Sequence, residues 1–472
     1  VNIILEGITV QTIIEATGGQ LLWGDLSAKI SGITTNSRDC GEGMLFIPIK
    51  GNTFDGHDFI RAAFDCGAAA AIADRETDAV LGKTIILVPN TLTALADIAR
   101  HYRARFDIPI AAVTGSVGKT TTKDMLASAL AASGNVLKTQ GNFNNEIGLP
   151  LTLFKLDRSH DMAVLEMGMN HFGEIHNLAS IAKPNVAVIT NIGMSHIEHL
   201  GSQEGILQAK LEVIDFFGED GLLILNGDDP MLWAKRGSLP CAAVYYGIEN
   251  AECTYRAENI QKSDSGVRFD VVIAGEKYDV SVPVPGEHNV YNALAAIAVA
   301  RRFGADTELA IRGIANFSAS GMRMDISKSG GVTVINDCYN ASPSSMEAAL
   351  KVLADTAAER RIAILGDILE MGDFAPDAHR GVGKAVCDCG IDSLIVTGEN
   401  GVYIAEGAKA AGMSDESIWW FEDNKGINAF LANYINTDDA ILIKASRGMK
   451  FEQITECITG INIARAYKRT GG

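Results

Sequence analysis

Val113-Thr114-Gly115-Ser116-Val117-Gly118-Lys119-Thr120-Thr121-Thr122 is the stretch that decides the fold of this chain. The apolar run Ala111-Ala112-Val113 leads into it, and a helix-like segment running through Ala129 and Ala132 follows. Glycines let a backbone curl until its N–H groups converge on an anion, and a helix N-terminus adds partial positive charge there. The lysine closing such a turn reaches outer phosphates, and the hydroxyl after it ligates magnesium. Lys119 and Thr120 stand at those positions, and Thr114, Gly115, Ser116, Gly118 and Thr121 complete the candidate ATP-binding loop. The longest form of the motif has a glycine where Val113 stands, so Gly115 has to make the turn. Strand, glycine turn, Lys-Thr and helix in this order point to a P-loop rather than an ordinary strand-to-helix turn. No G-x-G-x-x-G follows the first strand of any α/β unit, which argues against a dinucleotide fingerprint.

Outward from the loop, apolar runs of strand length recur at 163–165, 186–190 and 222–225, with helical segments between them. Runs apolar on both faces suit a parallel sheet covered by helices. After Tyr246 polar and apolar residues alternate, at 267–273 and 278–284, which reads as hairpins ending at Pro285-Gly286. An alanine-rich helix is expected over 290–303. The central domain is therefore placed at 108–317, a P-loop parallel sheet with a hairpin appendage. Residues 1–107 form a smaller α/β unit with turns at Thr34-Thr35-Asn36-Ser37-Arg38 and Phe54-Asp55-Gly56-His57, and a helix over 92–105 leads to a boundary at Pro109. Residues 318–472 restart the alternation, with strands at 332–335, 362–365, 394–396 and 441–443, as a C-terminal Rossmann-like α/β domain. The fold class is α/β in three domains.

The length of 472 residues agrees with about three domains at roughly 150 residues each. With 47% hydrophobic and 21% charged residues the chain is globular rather than disordered. A formal net charge of -18 excludes a general nucleic-acid binder, whose phosphate contacts need an excess of Lys and Arg. The eight cysteines are scattered, and only Cys387 and Cys389 lie close, so reduced thiols are expected rather than a zinc site or a disulfide framework. No apolar run is long enough to span a bilayer and no basic-then-apolar leader is evident, so a cytoplasmic enzyme is expected.

Ligands of open α/β sheets bind beyond the carboxyl ends of the strands, so polar residues directly after apolar runs carry information. Glu166 follows one run and suits a metal or its waters; a helix cap or surface ion pair is the plain alternative. Asn191 and His196 follow the next run, although magnesium prefers oxygen ligands. Gly141-Asn142-Phe143-Asn144-Asn145-Glu146-Ile147-Gly148-Leu149-Pro150 offers many amide donors to a phosphorylated ligand, or is simply a complicated turn. Lys210 reads as a solvated helix lysine. In the last third, Asn336-Asp337-Cys338-Tyr339-Asn340-Ala341-Ser342-Pro343 and Lys444-Ala445-Ser446-Arg447-Gly448 each close a strand, and Arg323 precedes the first of these strands. An arginine there suits bidentate phosphate contact.

Taken together, the P-loop, Glu166-Met167-Gly168, Asn191-Ile192-Gly193 with His196, Ala209-Lys210, His288-Asn289 with Asn292, Arg323 and Asn336-Asp337 resemble the Mur ligases of bacterial cell-wall synthesis, in the right order over essentially the whole chain. Asp337 to Pro343, Gly366-Asp367-Ile368-Leu369-Glu370-Met371-Gly372 and Phe54-Asp55-Gly56-His57 are most similar to the branch that adds D-alanyl-D-alanine to UDP-N-acetylmuramoyl-tripeptide. The resemblance implies ATP and Mg2+ as cofactors. It also implies an acyl-phosphate mechanism in cytoplasmic peptidoglycan precursor synthesis, and a monomer that binds no nucleic acid. It implies that Lys119 holds phosphates, that Thr120 and Glu166 serve magnesium, and that His196 and a carbamylated Lys210 serve a second metal. Lys119, Lys210 and His196 are thus the catalytic candidates. Asn289, Asn292, Arg323 and Asp337 match positions around ATP. Thr35, Ser37 and Arg38 resemble contacts to the UDP end, with Asn36 where an aspartate is more usual. Asn144, Asn145 and Glu146 resemble a further UDP-substrate contact, and Tyr339, Asn340, Ser446 and Arg447 are the candidates for the dipeptide side.

Two rival readings stand beside this one. Another ligase of the superfamily, a different Mur enzyme or a folylpolyglutamate synthase, differs only in pocket shape. An NTP-driven switch would carry a guanine-reading N-K-x-D motif, which is absent.

Overall fold

The computed structural model describes residue 5, residues 7–318 and residues 321–470, with side chains described as far as residue 461. Three sheets follow one another along the chain. In the first, strands Gln20–Trp23, Thr84–Leu87, Ala70–Ala73, Met44–Phe46 and Gly32–Thr34 lie side by side, all parallel except the antiparallel edge strand Gln20–Trp23. The unit ends in helix Thr91–Arg103, whose apolar face docks on helices Gly148–Leu153 and Glu174–Ala182 of the next domain. There Tyr102 Oη donates to Leu156 O (2.7 Å) and Arg103 Nε to Ala182 O (2.9 Å), so the first sheet is tied to the second by buried and half-buried hydrogen bonds.

The central sheet has nine strands. Val136–Lys138, Met162–Glu166, Ile110–Thr114, Val186–Ile189, Leu222–Asn226 and Ala242–Gly247 run parallel in that spatial order. Every residue of Ile110–Thr114, Met162–Glu166 and Val186–Ile189 is buried, as expected of strands covered on both faces. Strand Ile110–Thr114 sits where chain order reverses, because the next two strands lie on one side of it and Val186–Ile189 lies on the other. Open α/β sheets bind their ligands at such a switch point.

The alternating segment differs from the expected appendage. Tyr255–Ser263 pairs parallel with Ala242–Gly247, and Gly266–Ile273 and Glu276–Val282 continue antiparallel, so the hairpins extend the central sheet itself. Alternation explains it: Val267, Phe269, Val271 and Ile273 all point inward under helix His288–Arg302. That helix packs on Lys119–Leu130, with Ala293, Ala296 and Ala300 buried. Helix Lys119–Leu130 stops short of Ala132, where Ser133 N already turns back to Leu130 O (2.8 Å).

The third sheet has the order Asp325–Ser329, Val332–Asn336, Asp439–Lys444, Arg360–Leu365, Ser393–Thr397 and Ile418–Phe421, parallel except at its first strand. Among the described residues no helix is long and apolar enough to cross a membrane.

Candidate active site

Gly115 makes the turn that the sequence assigned to it. Its φ is +143°, and a Cβ there would lie 1.9 Å from Thr190 Oγ1, so only glycine fits. Gly118, at φ +88°, then starts helix Lys119–Leu130. The loop between them is clamped by the end of the neighbouring strand. Asn191 Oδ1 accepts from Val117 N (2.9 Å), Asn191 Nδ2 and Thr190 Oγ1 donate to Val117 O (3.1 and 2.5 Å), and Gly193 N donates to Ser116 Oγ (2.9 Å). The Asn191 side chain is therefore a brace for the loop.

Lys119 Nζ donates to Gly115 O (2.7 Å) and Ser116 O (3.3 Å), which holds the half-buried ammonium over the turn. Burial brings its pKa down to about 8; nearby Glu166 opposes the shift and Arg323 adds to it. Glu166 is buried, accepts from Asn144 Nδ2 through Oε1 (2.8 Å), and leaves Oε2 with no partner. A buried carboxylate oxygen without a donor suits a cation. Thr120 is buried at the start of the same helix. Among the described residues no cluster of three or more His, Cys, Asp or Glu forms a metal cage.

Lys210 departs from the solvated lysine the sequence suggested. It is 2% exposed, and its pKa lies well below the usual lysine range because burial strips the ammonium of water and Lys119 repels it. No carboxylate among the described residues pairs with it. Arg323 likewise pairs with no described carboxylate; its guanidinium stacks on Tyr339, 4.0 Å from the ring centre. Lys119 is thus close enough to both Arg323 and Lys210 for their charges to act on one another, a basic spot in a protein of net charge -18.

These groups open into one cleft of about 940 Å³ between the second and third sheets. Ser116, Gly118, Lys119, Thr120, Thr121, Asn144, Asn145, Glu166, His196, Asn289, Asn292, Arg323, Asp337, Tyr339 and Asn340 all line it. Thr114, Gly115 and Lys210 do not line it, although Lys210 is near enough to Lys119 to be repelled by it. Asn289 and Asn292 are buried and linked to the loop's helix, Thr122 Oγ1 donating to Asn292 Oδ1 (2.9 Å) and Asn292 Nδ2 to Asn289 Oδ1 (3.0 Å). Asp337 accepts from Met324 N (3.0 Å) and from buried Lys444 (2.5 Å), so its carboxylate is held by its own domain. His196, with φ +63°, pairs through Nδ1 with Glu370 Oε2 of the third domain (2.5 Å), and that hydrogen bond holds the Glu370 carboxyl below its usual pKa.

Several expected contacts take other partners. Asn145 Oδ1 accepts from Gly148 N (2.9 Å), and Glu146, its pKa raised by partial burial, lies outside the cleft. Ser446 Oγ accepts from Leu369 N (3.0 Å) and Arg447 pairs with Glu452 (3.4 Å); neither lines the cleft. Thr35, Ser37 and Arg38 sit on the first sheet's edge, outside this cleft, where Asn36 Oδ1 accepts from Arg38 N (3.2 Å) as an aspartate would. Sequence reasoning passed over Asp228 and Asp229 and gave His288 and Lys444 no role beyond their motifs, yet all four line the cleft. Asp228 accepts from Ile248 N (2.6 Å) and Tyr291 Oη (2.9 Å), and Asp229 from Ile192 N (2.7 Å). The signal was present: Asn226-Gly227-Asp228-Asp229 closes an apolar strand, as Glu166 does.

Comparison with known proteins covers all three domains. Residues 29–103 match the Mur ligase family catalytic domain, 113–300 the Mur ligase middle domain, and 322–447 the Mur ligase glutamate ligase domain. The UDP-N-acetylmuramoyl-tripeptide–D-alanyl-D-alanine ligase of Bacillus subtilis is 41% identical over 430 residues, covering 90% of this chain and 93% of that one. A crystal structure of MurF from Acinetobacter baumannii superimposes with a TM-score of 0.90 at 30% identity, covering 97% of this chain and 99% of the other. The MurF ligase of Thermotoga maritima in complex with ADP superimposes with a TM-score of 0.82 at 29% identity, over 92% and 98% of the two chains.

Proposed function

The chain belongs to the Mur ligase family, and from that premise we propose that it joins D-alanyl-D-alanine to UDP-N-acetylmuramoyl-tripeptide at the expense of ATP, as a monomer in the cytoplasm, during peptidoglycan precursor synthesis. The observation that carries this reading is the convergence of Lys119, Arg323 and the unpartnered Glu166 Oε2 on one cleft between two domains.

A carboxylate resists attack by an amine until one of its oxygens becomes a leaving group. The terminal carboxylate of the tripeptide takes the γ-phosphoryl of ATP, releasing ADP. The free amine of D-alanyl-D-alanine then attacks the acyl carbon, loses a proton, and expels phosphate as the amide forms. Backbone amides from Gly118 to Thr121 and the Lys119 ammonium hold the phosphates from the loop side, those of Ser116 and Val117 donating to Asn191 instead, and Arg323 holds them from the third domain. Asn289, Asn292 and Asp337 bind the nucleoside end. Thr120 and Glu166 fit a magnesium ion, since Asn144 orients one Glu166 oxygen and the other is free. Bound there, magnesium neutralises phosphate charge during transfer.

His196 and Lys210 would hold a second metal. Burial and the neighbouring Lys119 charge hold the Lys210 pKa well below the usual lysine range, which favours the uncharged amine that adds to carbon dioxide and, on losing a proton, becomes a carbamate anion beside Lys119. Thr35, Ser37 and Arg38 bind the UDP end, with Asn144, Asn145 and Glu146 shaping the passage from it. Tyr339 and Asn340 meet the dipeptide, and Ser446 and Arg447 support them. Closing the two domains excludes water from the acyl phosphate.

The test is phosphate release across a panel of UDP-linked peptides and amines. Release that requires both the UDP-tripeptide and D-alanyl-D-alanine is expected; release with either one alone, or preference for a different amine, would refute the assignment.

A further inference from the structure

The motif Gly366-Asp367-Ile368-Leu369-Glu370-Met371-Gly372 has no part in the chemistry above, yet its backbone is pinned at each step. Asp367 accepts from Glu399 N and Asn400 N (both 3.0 Å), and its carbonyl accepts from Ser446 N (3.0 Å). Ile368 N donates to Nε2 of fully buried His379 (2.9 Å), whose Nδ1 donates to Ala375 O (2.6 Å). Leu369 N donates to Ser446 Oγ (3.0 Å). Glu370 follows with φ +62° and reaches across the domain boundary to Nδ1 of His196 (2.5 Å), itself at φ +63°. Two residues on, Gly372 has φ +49°, and a Cβ there would lie 3.2 Å from Glu198 Cγ, so the two backbones are in close contact beside the pair. An isolated surface ion pair contributes little. Here both partners are presented by braced loops, and His196 lines the cleft whereas Glu370 stands behind it.

We infer that Glu370 is a positioning residue for His196: by accepting the Nδ1 hydrogen bond it commits the imidazole to the tautomer with a free Nε2 lone pair, and does so only when the third domain is docked. A histidine that ligates a metal commonly donates its other nitrogen to a carboxylate, which fixes ring and tautomer together. Docking of the third domain and preparation of His196 then become one event. The metal part of this inference rests on the role of His196 proposed above; the tautomer part does not.

The experiment uses the full chain with 15N-labelled histidine, the His196 signals being assigned by their loss in His196→Gln. In the wild-type protein His196 is expected to be protonated at Nδ1. Glu370→Ala should shift it toward the Nε2-protonated form, and Glu370→Gln, which keeps an acceptor oxygen, should retain the wild-type tautomer. With a non-hydrolysable ATP analogue present, Mn2+ binding at His196, followed by paramagnetic broadening, should weaken about 10- to 100-fold in Glu370→Ala. Thermal melting of each variant confirms that it is folded. An unchanged tautomer in Glu370→Ala would overturn the positioning role whatever the metal does. His196 signals untouched by Mn2+ in the wild-type protein would instead overturn the metal role.

Discussion

The phosphate loop and the third-domain rim carrying Arg323 face each other across the cleft, but they are held in different ways. The loop takes its shape from its own domain: Thr190, Asn191 and Gly193 bond to Ser116 and Val117, and Gly115 occupies a conformation no other residue could share. The rim is equally well braced, with Met324 N on Asp337, Tyr339 N on Met322 O (3.2 Å) and the guanidinium stacked on Tyr339, but all of those contacts lie within the third domain. Its effect on Lys119 acts through space. The loop's shape is therefore complete without the third domain, whereas the rim meets it only in the docked arrangement. On the proposed reading, binding and turnover are divided between the two halves.

The largest effect that would test this division comes from Lys119→Ala. Losing the loop's one ammonium should lower nucleotide affinity and reduce D-alanyl-D-alanine-dependent phosphate release by roughly 10³-fold, the upper range for removal of one preorganised charge donor. Steady-state kinetics with equilibrium nucleotide binding measure both. Next in size, Arg323→Ala should cut kcat by about 10²-fold while nucleotide affinity changes little. Arg323→Lys should not restore it, since a point charge cannot stack on Tyr339 and fork onto phosphate. Equal losses of affinity in the Lys119 and Arg323 variants would erase the contrast between the halves.

A smaller effect separates them by pH. Lys119 in the free protein titrates near pH 8, and phosphate bound to it favours the charged form. Nucleotide affinity should therefore be flat below pH 8 and fall above it, by up to about tenfold per pH unit, because binding then requires proton uptake. Calorimetry in buffers of different ionisation enthalpy reads the proton count directly. The smallest effect is expected outside both halves: Tyr291→Phe removes one hydrogen bond to Asp228 and should cost about 1 kcal/mol of stability by denaturant titration, leaving kcat within about twofold.

How far the sequence revealed all this depended on the range of the interactions. Strand, glycine turn and helix around Lys119 are local, and Val113 in place of the motif's first glycine already leaves the turn to Gly115. Strands apolar on both faces announced the parallel sheet, and polar residues closing them announced its ligand edge. Pairings across distance were hidden. The bond from Asn144 to Glu166, 22 residues away, is one of them. The bond from His196 to Glu370 spans 174 residues and two domains. Lys210 read as a solvated lysine because helix periodicity alone does not report which loops cover a face. The hairpins were recognised, but their parallel join to Ala242–Gly247, which makes them part of the central sheet, has no local signal.

The central claim is that the cleft activates a carboxylate by phosphorylating it. The direct measurement uses UDP-tripeptide labelled with 18O in its terminal carboxylate, followed by mass analysis of the phosphate released in the presence of D-alanyl-D-alanine. One 18O per phosphate is predicted for the wild-type protein, with the yield falling in proportion to kcat in Arg323→Ala. Phosphate carrying only solvent or ATP oxygen would contradict the account.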